Sequence, residues 1–88
     1  MRMYAIEFLP AAKKELKRLD FVVQKRIKEK ILLLATDPAK LKNNIKPLKG
    51  EFSGKFRLRV GNQRVIFRII EKKVLIIVIR IGHRKEVY

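Results

Sequence analysis

Between residues 56 and 68 the chain reads FRLRVGNQRVIFR, with apolar and basic side chains alternating on both sides of a Gly-Asn pair. A period of two marks a half-buried strand, and Gly61-Asn62 suits a two-residue hairpin loop. The pattern predicts strands over 56–60 and 64–70. A further strand over 74–81 is apolar on both faces, which suits a central place in a sheet. Residues 2–8, RMYAIEF, alternate well enough for a first strand, which belongs beside that apolar one. Pro10 then stands where a helix tolerates it, in the first turn. Leu16, Leu19 and Val23 follow at helical spacing, with Lys13, Lys14, Lys17 and Arg18 on the outside. Asp20 can cap a second helix whose stripe is Val23, Ile27, Ile31 and Leu34, and Thr36-Asp37-Pro38 ends it. Residues 39–54 are irregular, with turns at Pro47, Gly50 and Gly54 and a short edge strand expected at Leu48-Lys49. The expected fold is α+β: an antiparallel β-sheet with an N-terminal two-helix hairpin on one face, in the order β-α-α-β-β-β plus that edge strand.

Length limits this to one domain over residues 1–88. The chain has no cysteine, so disulfides and thiolate metal sites are excluded. Its longest apolar run, VLIIVI, is far short of the roughly 20 residues that span a bilayer. Glu7 interrupts the stretch that a signal sequence would keep apolar, and a cytoplasmic protein without membrane contact is expected.

Charge changes the picture most. Lys and Arg number 23 against 8 acids, a net charge of +15, and such a surplus seeks a polyanion. Between Phe52 and Lys85 there are ten Lys or Arg and one acid, Glu71; six of the nine arginines lie between Arg57 and Arg84. Arg offers phosphate a planar, bidentate fork, whereas Lys is closer to a point charge.

The two-residue loop sets the hairpin register. Arg59 faces Arg64, Leu58 faces Val65, Arg57 faces Ile66, Phe56 faces Phe67 and Lys55 faces Arg68. One face is then Phe56, Leu58, Val65 and Phe67; the other collects Lys55, Arg57, Arg59, Arg64 and Arg68. Opposed like charges destabilise a sheet by a few tenths to about 1 kcal/mol per pair, which a merely solvated face would avoid. A three-residue loop at Glu71-Lys72-Lys73 would set Arg80 opposite Arg64 and extend the basic face. Arg84 would join it, and Lys49 adds charge from the preceding loop. Without exposed aromatics the face is no base-stacking platform, and it offers no groove-sized recognition helix. It suits a phosphate and the charge that builds on one.

The chain ends IGHRKEVY, and here it resembles the RelE family of toxin–antitoxin toxins, within the RelE/ParE superfamily. The likeness covers nearly the whole chain: FLPAAKKELKRL, the Asp-Pro after the second helix, PLKG at 47–50, FRLRVGNQRVIFRI at 56–69 and GHRKEVY at 82–88. The resemblance implies an endonuclease that cuts mRNA in the ribosomal A site by 2′-hydroxyl attack on the adjacent phosphate, with no metal or cofactor. It also implies a RelB-like antitoxin that wraps the toxin. The family's functional positions fall on Arg57, Arg59, Arg64, Arg84 and Tyr88. Arg57 and Arg59 stand where the best-known members carry lysine, so a charge role carries over and a proton-transfer role does not.

The chemistry can be weighed separately. The attack needs a base, an acid for the leaving 5′-oxygen, and positive charge on the transition state. Arginine is no practical base, with a pKa above about 12. Tyr88 starts near 10, and neighbouring guanidinium groups lower it by favouring phenolate. Tyr88 is thus the expected base, Arg64 the transition-state stabiliser and Arg84 the partner of the leaving group. Arg57 and Arg59, with Lys49, Lys55, Arg68 and Arg80, bind the backbone. His83, the only histidine, is an accessory base candidate. Two rivals stand: a ParE-like protein that stalls gyrase, and a non-catalytic RNA- or ribosome-binding module.

Overall fold

In the computed structural model, which describes residues 3–83, two helices cover one face of a five-stranded sheet. Strand β1 (Ala5–Phe8) leads into α1 (Pro10–Lys17) and α2 (Phe21–Thr36). A 3-10 turn (Pro38–Leu41), β2 (Ile45–Pro47) and a second 3-10 turn (Gly50–Phe52) follow; then come β3 (Phe56–Val60), β4 (Gln63–Ile70) and β5 (Leu75–His83). The strand order is β1-β5-β4-β3-β2, so the apolar last strand is central and β1 lies beside it, as expected. Each pair is antiparallel except β1 with β5. The sheet is therefore mixed rather than wholly antiparallel, because the helices carry the chain across before it returns beside β1 in the same direction.

α1 lies over β5 and α2 over β3. Their inner stripes, Ala12 and Leu16 from α1 and Ile27, Ile31 and Leu34 from α2, meet Leu58, Val65, Phe67, Ile76, Val78 and Ile81 in one core. Burying each of the larger side chains contributes about 1.5–3 kcal/mol. The Phe56 and Phe67 rings stack with centroids 5.6 Å apart, both on the core side. Asp20 is the N-cap residue of α2, but its carboxylate makes no capping bond. Among the described residues no helix is long and apolar enough to cross a membrane.

The β3–β4 register agrees with the expected one at every pair from Val60–Gln63 to Phe56–Phe67, and Gly61 takes the left-handed conformation (φ 59°) that the short loop requires. Two other expectations are corrected. The edge strand is Ile45–Pro47, not Leu48-Lys49; Pro47 is tolerated there because an edge position leaves its missing N–H unneeded. The β4–β5 connection places four residues, 71–74, between the paired Ile70 and Leu75, the last of them Val74 in a left-handed conformation (φ 49°). A register shift between Ile66 and Phe67 adds a second offset. Arg80 consequently faces Ile66, and Arg64 faces Gly82.

Past Phe8, β1 no longer covers the edge of β5, and Glu15 of α1 reaches this region. Its Oε1 accepts the Ile81 N–H at 2.9 Å, while Arg80 donates from Nε at 3.1 and 3.0 Å and from Nη2 at 2.8 Å. Burial pushes the Glu15 carboxyl up, but the Arg80 hydrogen bond, the Ile81 N–H and the charges of Arg80 and Arg18 outweigh it and hold it below its usual range. Glu15→Ala is expected to cost about 1–2 kcal/mol at pH 7 in urea unfolding. Because the folded-state pKa is depressed, that contribution is complete above the unfolded value of about 4.3. It is lost as pH falls through the folded value, so wild type and variant should converge in acid.

Candidate functional site

Alternation along β3 and β4 sends Leu58, Val65 and Phe67 into the core and Arg57, Arg59, Arg64 and Arg68 to the face away from the helices. Lys55 immediately precedes β3 at the end of this row. One member went unnoticed in the sequence: β2 pairs Lys46 with Arg57, which puts Lys46 on the same face. Only the β2 register reveals it, and nothing local in the sequence sets that register. Lys49 lies in the loop after β2, off the ladder.

One expected member lies off this face and another is engaged at its edge. Arg80 pairs with Ile66, whose partner on the other side is Arg57, so the register places it on the arginine face, but its guanidinium is held by Glu15 at the edge of the sheet. Its pKa is raised by the Glu15 hydrogen bond and charge. His83 is two residues from buried Ile81 and pairs with Gln63, on the side of the strand opposite Arg64. It lines a small cleft of about 180 Å³ with Glu15, Arg18, Leu19, Gln63, Ile81 and Gly82. Arg84 and Tyr88 lie outside the described residues. Among the described residues no three His, Cys, Asp or Glu side chains gather as a metal site would need.

The cluster is electrostatically unusual. Arg59 and Arg64 face each other directly. Ile66 is 4% exposed although it stands outside the main core cluster. It is flanked on its own strand by Arg64 and Arg68 and across the ladder by Arg57, so the arginine stems beside it are suited to cover it. Among the described residues the buried Arg57 Nε has no hydrogen-bond acceptor, whereas buried donors in folded proteins are almost always satisfied.

The model of the ParE toxin family of type II toxin–antitoxin systems, parDE, matches residues 6–88. The chain belongs to this RelE/ParE family of toxins. The toxin is 29% identical over 87 residues to the mRNA interferase toxin RelE of Escherichia coli K12, covering 97% of this chain and 90% of that one. Its fold is similar to that of the toxin–antitoxin complex RelBE2 of Mycobacterium tuberculosis, with a TM-score of 0.83 and 26% identity over 98% of this chain and 97% of that one. The RelB–RelE antitoxin–toxin complex of Methanococcus jannaschii is 31% identical, with a TM-score of 0.72, over 93% and 94% of the two chains.

Removing a phosphate-contacting arginine should lower the log–log salt slope of single-stranded RNA binding by about 0.7. Arg57→Ala and Arg59→Ala are each expected to do so, whereas Arg80→Ala should leave the slope unchanged. Fluorescence anisotropy across a salt series separates the two classes.

Proposed function

We propose that the toxin is a ribosome-dependent endonuclease that cuts mRNA in the A site. The observation that carries this reading is the row of arginines on one sheet face, with a buried Arg57 Nε that has no acceptor among the described residues. It is supported by nearly full-length similarity to a protein named mRNA interferase. In the reaction the 2′-oxygen forms a bond to the adjacent phosphorus as the bond from phosphorus to the 5′-oxygen breaks. The products are a 2′,3′-cyclic phosphate and a 5′-hydroxyl end. Tyr88 takes the proton of the 2′-hydroxyl as phenolate. Arg64 stabilises the charge that gathers on the non-bridging oxygens, and Arg84 stabilises the departing 5′-oxygen by charge and hydrogen bond while that oxygen takes its proton from water. Arg57 and Arg59 grip the backbone, with Lys46, Lys55 and Arg68 extending the track.

Gly82 is the partner of Arg64, and Tyr88 follows it by six residues. An extended chain of that length reaches about 20 Å, enough to bring the phenol over the arginine row. The row binds backbone but does not bend free RNA into line; the ribosome supplies that alignment, which is worth several orders of magnitude in rate. The partners are therefore the ribosome with its mRNA in the cytoplasm, and an antitoxin that covers the basic face. The solved relatives with RelB bound support the second.

The test is cleavage on programmed ribosomes with mapping of the new ends. Wild type should leave a cyclic phosphate at an A-site codon. Arg64→Ala and Tyr88→Phe should each slow single-turnover cleavage by 100-fold or more, on the order of 3 kcal/mol. Intact mRNA together with inhibited gyrase supercoiling would instead assign the chain to gyrase binding, and intact mRNA with ribosome binding would make it a non-catalytic module.

A further inference from the structure

Strand β5 is held differently along its length. Residues 75–78 pair with β1 on one edge and β4 on the other, and the Leu9 N–H closes the β1 side on the Val78 carbonyl at 2.9 Å. Pro10 then turns the chain into α1. Beyond that point β5 has a neighbouring strand on one edge alone, where Arg80, Ile81, Gly82 and His83 meet Ile66, Val65, Arg64 and Gln63. The register shift between Ile66 and Phe67 separates these pairs from the rest of the ladder, and Gly82 offers no side chain to pack. A short, one-sided strand end of this kind opens readily unless something holds it.

Glu15 supplies the hold. Its side chain is 21% exposed and both of its oxygens are engaged: Oε1 accepts the Ile81 N–H at 2.9 Å, and Arg80 donates to each oxygen. Successive amides of a strand point to opposite edges. With the Ile81 N–H turned outward to Glu15, those of Arg80 and Gly82 turn toward β4. The carboxylate of α1 thus stands in for the missing neighbour strand, one residue from the Gly82 that faces Arg64. We propose that Glu15 is a positioning residue for cleavage: by accepting the Ile81 N–H it fixes the end of β5 against β4, and so sets the backbone of Arg64 for the phosphate. This role rests on the nuclease reading. The strand end that Glu15 fixes is also the one from which the chain continues to Arg84 and Tyr88.

Charge alone would give Glu15 the opposite effect. Releasing Arg80 adds a cation to the RNA face and strengthens backbone binding, so a carboxylate that only neutralised Arg80 would restrain the toxin. A positioning carboxylate leaves binding intact and raises the rate of the chemical step. The Ile81 side chain is 1% exposed and tethers the strand to the core in either case, so loss of Glu15 slows cleavage without abolishing it.

Single-turnover cleavage on programmed ribosomes, across a range of toxin concentrations, separates the two. Glu15→Ala should lower the maximal rate by about tenfold or more without raising the half-saturating toxin concentration. Glu15→Gln keeps an acceptor for the Ile81 N–H and should cleave within about threefold of wild type. Ile31→Val, in the α2 core stripe, loosens the fold away from β5 and should cleave as wild type does while folded. Amide exchange at Gly82, followed by NMR in the full chain, should quicken by about tenfold or more in Glu15→Ala and stay near wild type in Glu15→Gln. A Glu15→Ala rate equal to wild type overturns the proposal, as does a loss of the same size in Ile31→Val or in Glu15→Gln, or unchanged exchange at Gly82. A wild type that leaves the mRNA intact fails the nuclease reading instead, and the exchange comparison still decides whether Glu15 holds the strand end.

Discussion

Arg59 and Arg64 stand opposite each other because a two-residue loop closed by left-handed Gly61 leaves the hairpin no other register. The core depends on that same register. Shifting the pairing by one residue would turn Leu58, Val65 and Phe67 outward and the arginines inward. Apolar burial thus holds the cations together against their mutual repulsion. An opposed cationic pair costs a few tenths to about 1 kcal/mol, whereas each large core side chain contributes about 1.5–3 kcal/mol. The core outweighs the repulsion, and the free protein keeps a surface that is electrostatically poised for an anion.

The edge of the sheet and its open face treat charge differently. At the β5 edge Arg80 is neutralised by Glu15, which also satisfies the Ile81 N–H. On the open face Arg57 keeps a buried donor without an acceptor among the described residues. Satisfied polar groups rigidify a structure, and unsatisfied ones mark where something is to bind. Glu15 anchors β5 at the point where β1 has left its edge, close to Gly82 and thus to the strand position facing Arg64. The ion pair at the edge therefore helps to position the cluster beside it.

What could be read directly from the sequence was local. The β3–β4 hairpin needed only its loop and its alternation, and its pairs from Val60–Gln63 to Phe56–Phe67 came out as expected. The helix stripes followed from spacing, and the central place of β5 from its two apolar faces. The β4–β5 register was not legible, because a left-handed Val74 and a bulge opposite Ile66 each shift it, and neither has a composition signal. Arg80 stands on the basic face, but opposite Ile66 instead of Arg64, and its guanidinium is taken by a glutamate 65 residues away. Lys46 was overlooked for the converse reason, since only the tertiary pairing of β2 brings it beside Arg57.

The claim on which most depends is that the arginine face is held at a cost until an anion occupies it. Thermal unfolding of wild type and Arg59→Gln, with and without a single-stranded RNA blocked by a 2′-deoxy sugar at the cut site, measures that cost and its relief. The variant should be at least as stable as wild type when free, and RNA should raise the melting temperature of wild type more than that of the variant. A free variant clearly less stable than wild type, or equal stabilisation of both by RNA, would contradict the account.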